Sequence, residues 1–488
     1  MKRFYLAIDL GAESGRVMLG TLTDGHIALE ELHRFPNVPL KVDGSLHWNI
    51  PELFAGVKAG LRKAAALKIP IASVSTDSWG LDFVLLDARG AIIPPAFHYR
   101  DPRTARGVER VRSLVPWPDV FAETGIQFMP FNSIYQLAAE APERLERTRQ
   151  IVLIADAFNF FLSNVARAEE SLASTTQLYN PRARDWSPRL LNALGLSGEI
   201  FPTIVPSGTK LGGIKVELAR EVGLHDVSVI ASCSHDTGAA VAAIPATGND
   251  WAYISSGTWS LMGAELSSPL LTDECREFNF TNEIGFGGNV RLLKNIIGLW
   301  MVQECRREWE REGQVFDYAT LTRLAADAPP FAALIDPDDP RFVAPGEMPQ
   351  KIAAFCRETN QSLPQTPGAV IRCALESLAL LYRCTFVMLE KLTGRRFMHL
   401  HIVGGGSKNE LLNQFTANAL GLPVLAGPVE ATALGNVLVQ AIALGDLSSL
   451  AAARDRVRHA FPFARYQPRE VDNWKSAEQR FLKMRTRG

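Results

Sequence analysis

Residues 5–20 read YLAIDLGAESGRVMLG, and residues 251–263 read WAYISSGTWSLMG. Each is an apolar strand, a polar turn containing glycine, and a returning apolar strand. In the first, Phe4–Leu10 and Arg16–Leu22 are the strands and Gly11–Gly15 the turn, with Val17, Leu19 and Thr21 alternating. In the second, Trp251–Ile254 and Thr258–Gly263 flank the turn Ser255–Gly257. The chain has 488 residues, too many for one compact core. A hairpin repeated at the head of each half predicts two duplicated domains facing one another. The break falls in Pro245–Asp250 (PATGND), which divides the chain into residues 1–245 and 246–488.

Outside the hairpins, strand and helix patterns alternate with short connections, which indicates α/β layers. Strands are expected within Ala66–Trp79, at Leu81–Leu86, at Gly90–Tyr99, at Val227–Ala231 and at Met398–Val403. Helices are expected at Asn132–Leu145, Asp156–Arg167 and Gly368–Leu392. The net charge of −1 excludes a global field for nucleic acid or an acidic membrane surface. No apolar stretch reaches the roughly 20 clean residues of a membrane span. Asp9 and Glu13 interrupt the first apolar run, so no secretory signal is read, and a cytoplasmic enzyme is expected. The six cysteines show no CxxC spacing, which argues against zinc. Cys356 and Cys373 are the one pair to watch, with buried free thiols the expected state.

Several turns have residues suited to chemistry. Asp9–Arg16 (DLGAESGR) offers close backbone approach at its glycines, a hydroxyl and a guanidinium, all suited to phosphate oxygens. Asp9, at a strand end, is placed to hold Mg²⁺ through water. A plain hairpin turn explains the same residues, and Glu13 must then point away from any polyphosphate. Ser255–Thr258 is the matching turn of the second half. Gly404-Gly405-Gly406 lies between a strand and a helix, which suits a nucleotide over backbone. A dinucleotide fingerprint would need glycine where Asn409 stands. Ser234–Thr237 (SHDT) ends a buried strand and opens a helix. Asp236 there is either a helix cap or a base for a substrate hydroxyl. Thr76–Phe83 (TDSWGLDF) is either a sugar platform or core around Trp79.

Taken in order, these motifs resemble the FGGY carbohydrate kinases, and within them the bacterial L-rhamnulose kinases. The resemblance runs along nearly the whole chain through DLGAESGR, DSWGLDFVLLD, YRDPRT, SHDTGAAV, YISSGTWSLMG, LLKNIIGLWMVQ and LHIVGGGSKN. It implies a two-domain actin-like ATPase (ribonuclease H-like) fold, with a cleft between an N-terminal sugar and phosphate-hairpin domain and a C-terminal nucleotide domain. It implies transfer from ATP, with Mg²⁺, to the C1 hydroxyl of L-rhamnulose. By position, Asp236 is then the general base, and Gly80, His235, Asp236, Thr237 and Asn295 meet the sugar. Ala12, Glu13, Ser14, Gly15, Arg16, Thr258, Gln303 and Gly405 meet ATP. Two departures stand out: Ala155-Asp156, where many relatives carry Pro-Asp, and the following segment AFNFFLSN, which differs from theirs; the stretch after Ala460 matches weakly. The competing readings are a kinase for another 6-deoxy ketose such as L-fuculose and a non-catalytic ATP-binding actin-like protein. The protein is expected to work as a monomer or small homo-oligomer, with no nucleic-acid or membrane partner.

Overall fold

The computed structural model describes residues 2–485. Two compact units emerge. One takes the chain up to Thr247 together with Glu265–Leu292 and Glu430–Phe461. The other comprises Gly248–Ala264, Leu293–Val429 and the chain from Pro462 onward.

The first unit is built on a six-stranded sheet. Its order is Thr209–Gly213, Ser228–Ala231, Ile71–Ser78, Arg3–Leu10, Ser14–Leu22 and Ile27–Pro36. The last three form an antiparallel meander, and Arg3–Leu10, Ile71–Ser78 and Ser228–Ala231 run parallel. The strand Tyr5–Leu10 is buried on both faces, as a central parallel strand must be. Helix Ile50–Ala66 covers the sheet with Leu53, Val57, Leu61 and Ala64 on one stripe. Two close approaches set its position: a Cβ on Gly60 would lie 2.3 Å from Val17, and one on Gly56 2.5 Å from Phe35.

The second unit repeats the plan. Val290–Ile297, Trp259–Leu266, Trp251–Ser256, His399–Val403, Val424–Ala426 and Ala464–Tyr466 follow one another across its sheet. Trp251–Ser256 pairs antiparallel with Trp259–Leu266 and parallel with His399–Val403. Val424–Ala426 continues parallel, and Ala464–Tyr466 closes the edge antiparallel. Across these six of the sheet's seven strands the plan is that of the first sheet: a hairpin, two further parallel strands and an antiparallel edge. The 27-residue helix Pro367–Thr393 starts at Thr366, whose side chain accepts from the Ala369 amide, with Pro367 at the first turn. Such a cap contributes about 1 kcal/mol.

Three local expectations change. Gly90–Tyr99 keeps only Ala96–Phe97 as strand, because Pro94 and Pro95 have no amide hydrogen to give a ladder. Asn132–Leu145 splits into Ser133–Ala138 and Pro142–Arg147, since Pro142 cannot continue the preceding helix. Asp156–Arg167 shortens to a helix at Ile154–Ser163, closed by left-handed Asn164. All six cysteines are free thiols, and Cys356 and Cys373 are both buried. No helix among the described residues is long and apolar enough to cross a membrane.

Candidate active site

In the first unit, the ends of three parallel strands line up. Asp9 pairs with Asp77 in register, and Ser78 bridges to His235. The Ser78 amide donates to the Ser234 carbonyl at 2.9 Å. Asp9, Asp77 and Asp236 therefore stand together at the carboxyl edge of the sheet, where open α/β folds bind ligands. Burial raises the Asp77 carboxyl well above the usual range, with Asp9 and Asp236 adding to the effect. Burial also raises Asp236, opposed by His235 and assisted by Asp9. One-third of the Asp236 side chain nevertheless remains open.

Asp236 opens the helix Asp236–Ala242. Its Oδ1 accepts from the Thr237 amide at 2.5 Å and the Thr237 hydroxyl at 3.1 Å. Thus the carboxylate engages its own neighbour rather than an amide deeper in the helix. His235 Nε2 lies 3.4 Å from the same oxygen. Behind the imidazole, Nδ1 is 3.1 Å from Glu283 Oε2, and Arg291 Nη2 donates to that oxygen at 3.0 Å. Burial opposes ionisation of Glu283, but His235 and Arg291 outweigh it and hold its carboxyl below the usual range. The loop backbone is anchored separately. Glu169 Oε2 accepts from the Ser234 amide at 3.0 Å, and Ser171 Oγ accepts from the His235 amide at 3.1 Å.

Gly80 sits against Thr175, whose Oγ1 would be 3.0 Å from an added Cβ. The next residue, Leu81, has φ +79°, a strained conformation for a leucine. Ser133 Oγ holds its carbonyl at 2.5 Å. Trp79 is 7% exposed, so most of it is core. Its Nε1 donates to Asp82 Oδ2 at 3.0 Å, and Trp48 Nε1 donates to the same oxygen at 2.6 Å. Gln136 reaches the other oxygen at 2.8 Å. Burial still pushes the Asp82 carboxyl up to about 6.

The turn Gly11–Ser14 closes through the Gly11 amide and the Ser14 carbonyl at 2.9 Å. Asn37 clamps it twice, its amide on the Glu13 carbonyl and its Nδ2 on the Gly11 carbonyl. Glu13 is exposed, while Ala12 and Ser14 are half-buried. Gly15 is glycine for packing, because a Cβ there would lie 2.3 Å from the Phe35 ring. Arg16 forms ion pairs with Asp9 and with Glu430, the latter at 2.5 Å. Asn436, from the same late segment as Glu430, donates to Asp77 Oδ2 at 2.6 Å.

In the second unit, the Gly404–Gly406 loop packs on the hairpin turn. A Cβ on Gly404 (φ +84°) would lie 2.9 Å from the Ser256 carbonyl oxygen, and one on Gly406 2.0 Å from Ser256 Oγ. At Gly405, by contrast, a Cβ would meet nothing within 4 Å. Beside this loop the Thr258 carbonyl accepts from the Gly298 and Trp300 amides, fixing the turn against the start of helix Trp300–Arg311. Gln303 lies in that helix with Oε1 buried and without a partner. Asn295 belongs to the strand Val290–Ile297 and is half-buried.

Thus Asp9, Ala12–Arg16, Gly80 and His235–Thr237 belong to the first unit, and Thr258, Asn295, Gln303 and Gly405 to the second. Sequence reasoning gives Asp77 no role beyond its place in the TDSWGLDF platform, and gives none to Glu283, Arg291, Glu430 or Asn436. Asp77 carried a signal, a carboxylate at a strand end like Asp9. Glu430 and Asn436 stand in AGPVEATALGN, a string that contributes to the family resemblance without assigning either a role, whereas nothing in the sequence around Glu283 and Arg291 marks those two.

Models of the FGGY family of carbohydrate kinases match the chain in two pieces, the N-terminal domain over residues 4–243 and the C-terminal domain over residues 252–444. The chain belongs to this family. The carbohydrate kinase is 42% identical to a rhamnulokinase of Bacteroides thetaiotaomicron over 98% of each chain. It is 41% identical to a rhamnulokinase of Enterococcus faecalis over 99% of this chain and 98% of that one. Among solved structures, a xylulose kinase from Lactobacillus acidophilus superposes with a TM-score of 0.83 at 16% identity, covering 99% of this chain and 98% of the other. A glycerol kinase from Plasmodium falciparum with ADP gives 0.79 at 14% identity, covering 99% and 98%. The kinase therefore has the two-domain actin-like ATPase fold of these sugar kinases.

Proposed function

We propose that this kinase transfers the γ-phosphoryl group of ATP to the C1 hydroxyl of L-rhamnulose, giving L-rhamnulose 1-phosphate in L-rhamnose catabolism, with Asp236 as proton acceptor. The observation that carries the reading is the partly open Asp236 carboxylate, raised by burial and flanked by His235 and Thr237. A raised carboxyl is a stronger base, and phosphoryl transfer asks chiefly for positioning, charge neutralisation and a base near the nucleophile. The choice of ketose rests on the likeness to rhamnulokinases over almost the whole chain. Gly80, His235, Thr237 and Asn295 are the further sugar contacts in this reading.

Ala12–Arg16 and Thr258, Gln303 and Gly405 receive ATP. The unpartnered, buried Gln303 Oε1 and the open space over Gly405 suit a nucleotide. Mg²⁺ is assigned to Asp9. Among the described residues no three acidic, histidine or cysteine groups form a metal cage. Mg²⁺ does not need one, since it binds through one or two carboxylates and keeps several waters. Asp9 at a strand end, with the unpartnered Asp77 Oδ1 on the paired strand, fits that donor set. The ion would neutralise phosphate charge there. Residues 1–245 take the role of sugar and phosphate-hairpin domain and residues 246–488 that of nucleotide domain. The enzyme works in the cytoplasm as a monomer or small homo-oligomer.

Asp236→Asn tests the base. It preserves size and removes basicity, so kcat for L-rhamnulose should fall ~10²–10⁴-fold while ATP still binds and the thermal melt is unchanged. A folded variant keeping more than about a tenth of wild-type kcat lies outside that range and removes Asp236 from the role. In the same assay L-fuculose and D-xylulose should turn over more slowly than L-rhamnulose, and a reversed order would replace the substrate.

A further inference from the structure

We infer that Glu283, held by Arg291, is a positioning residue that fixes which nitrogen of His235 carries its proton and so presents a bare Nε2 for a sugar hydroxyl. This rests on the reading of His235 as a sugar contact and goes further by assigning the role to residues outside the SHDT loop.

The geometry is specific. His235 Nδ1 and Glu283 Oε2 are 3.1 Å apart, and all three side chains are buried, Arg291 completely. Arg291 Nη2 is also 3.1 Å from Nδ1, so the proton could in principle be placed either way. Counting donors and acceptors decides it. Nη2 has two hydrogens. Two oxygens stand ready for them, Glu283 Oε2 at 3.0 Å and the Ile284 carbonyl at 3.3 Å. A bare Nδ1 would aim its lone pair at a carboxylate oxygen. A protonated Nδ1 gives that oxygen a second donor. The hydrogen bond made by one ring nitrogen sets the state of the other. Nε2 faces a carboxylate too, but at the longer 3.4 Å. That oxygen, Asp236 Oδ1, already accepts from the Thr237 amide and hydroxyl. The proton therefore goes to Nδ1, and Nε2 is left as the acceptor.

The loop backbone does not depend on this arrangement, because Glu169 and Ser171 hold the Ser234 and His235 amides from behind. What Glu283 adds is the orientation and protonation pattern of one ring. Its effect should therefore be felt on the sugar and not on ATP.

The wild-type enzyme supplies the first test. With histidine rings labelled by ¹⁵N, and the His235 signals assigned by their loss in His235→Asn, Nδ1 should read as a hydrogen-bonded N–H. Nε2 should read as bare, and a protonated Nε2, with Nδ1 either bare or protonated as well, would overturn the inference, whatever the activity measurements say. The second test is Glu283→Gln, which nearly conserves shape and lets an amide N–H donate to Nδ1. KM for L-rhamnulose should rise about 10–100-fold, by analogy with the loss on removing the partner that orients a metal-bound imidazole, while KM for ATP stays within about twofold. Equal rises in both KM values, or no change in either, would make Glu283 merely structural. If the variant does not fold, the ring signals of the wild type still decide. Failure of Asp236→Asn to lose activity would instead count against the base and leave the ring signals untouched, so the two readings fail separately.

Discussion

Gly405→Asp places a carboxylate where ATP is proposed to lie, and the structure separates its effect on binding from its effect on folding. An added Cβ at Gly405 meets nothing within 4 Å, and the residue is outside the left-handed region that favours glycine. Its neighbours are the opposite case. Gly404 is left-handed, and Gly406 would drive its Cβ to 2.0 Å from Ser256 Oγ. The fold should therefore accept aspartate at 405, with a melting temperature close to wild type. A negative charge about 4 Å from a phosphate charge costs about 1 kcal/mol in water and about 4 kcal/mol at the effective dielectric of a protein surface. Gly405 is exposed, so the lower part of that range applies. The ATP dissociation constant should rise roughly 5–100-fold, since about 1.4 kcal/mol is tenfold. Calorimetric titration with ATP measures it directly. The loss should shrink in high salt, as screening requires, and Gly405→Ala should bind ATP more tightly than Gly405→Asp. Unchanged ATP affinity in a folded Gly405→Asp variant would refute the placement of this loop on the nucleotide.

Other expectations follow from the same geometry. Thr258→Val removes one hydroxyl but leaves the carbonyl that holds the Gly298 and Trp300 amides. It should stay folded and lose about 0.5–3 kcal/mol in kcat/KM for ATP, and a wild-type value would leave this turn purely structural. Asp82 is held up to about 6, chiefly by burial, against about 3.9 in an unfolded chain. Between those values the folded state binds the extra proton, so the stability from this group is complete below pH ~4 and is lost as pH rises through about 6. The loss is about 3 kcal/mol, and Asp82→Asn lacks it, so the gap in urea midpoint between wild type and variant should change between pH 4.5 and pH 7 (about two pKa units). A pH-independent gap would show that the donors around Asp82 already cancel its burial. Gly435→Ala would bring a Cβ to 1.8 Å from the Ala239 carbonyl oxygen and force two packed helices apart. It should cost at least about 1–3 kcal/mol, read as a lowered melting temperature.

Much of the fold was legible because it is written locally. The two hairpins combine period-two apolar strands with glycine turns, and no other short pattern looks like that. Asp9, Asp236 and Gly405 stood out because each sits where a strand gives way to a turn or helix. Pairing between distant strands was not legible. The register that sets Asp9 beside Asp77 is a parallel match across an intervening helix, and neither strand contains its instructions. Glu283 and Arg291 look like ordinary strand residues in sequence, and only the fold brings them behind His235. A single tryptophan in the sequence does not tell platform from core at Trp79. The second tryptophan at Trp48 and their shared acceptor Asp82 account for its burial. The expected helix through residues 139–141 failed on a residue that was plainly visible, Pro142, whose power to stop a helix outweighed the apolar periodicity around it.

The helix Ala431–Ala443 lies far along the chain, yet it completes the first unit. Gly435 seats it on Ala239, Asn436 gives Asp77 a hydrogen-bond donor, Gln440 reaches the Leu6 carbonyl, and Glu430 just ahead of it holds Arg16. On the ribosome, the first strands emerge long before that helix does. Until it arrives, a buried carboxylate at the heart of the first sheet lacks its donor, and an alanine-rich helix surface faces water. This unit cannot mature in the order in which it is made. A nascent chain halted near residue 250 should therefore remain protease-sensitive and dependent on chaperones, and one released after about residue 461 should not.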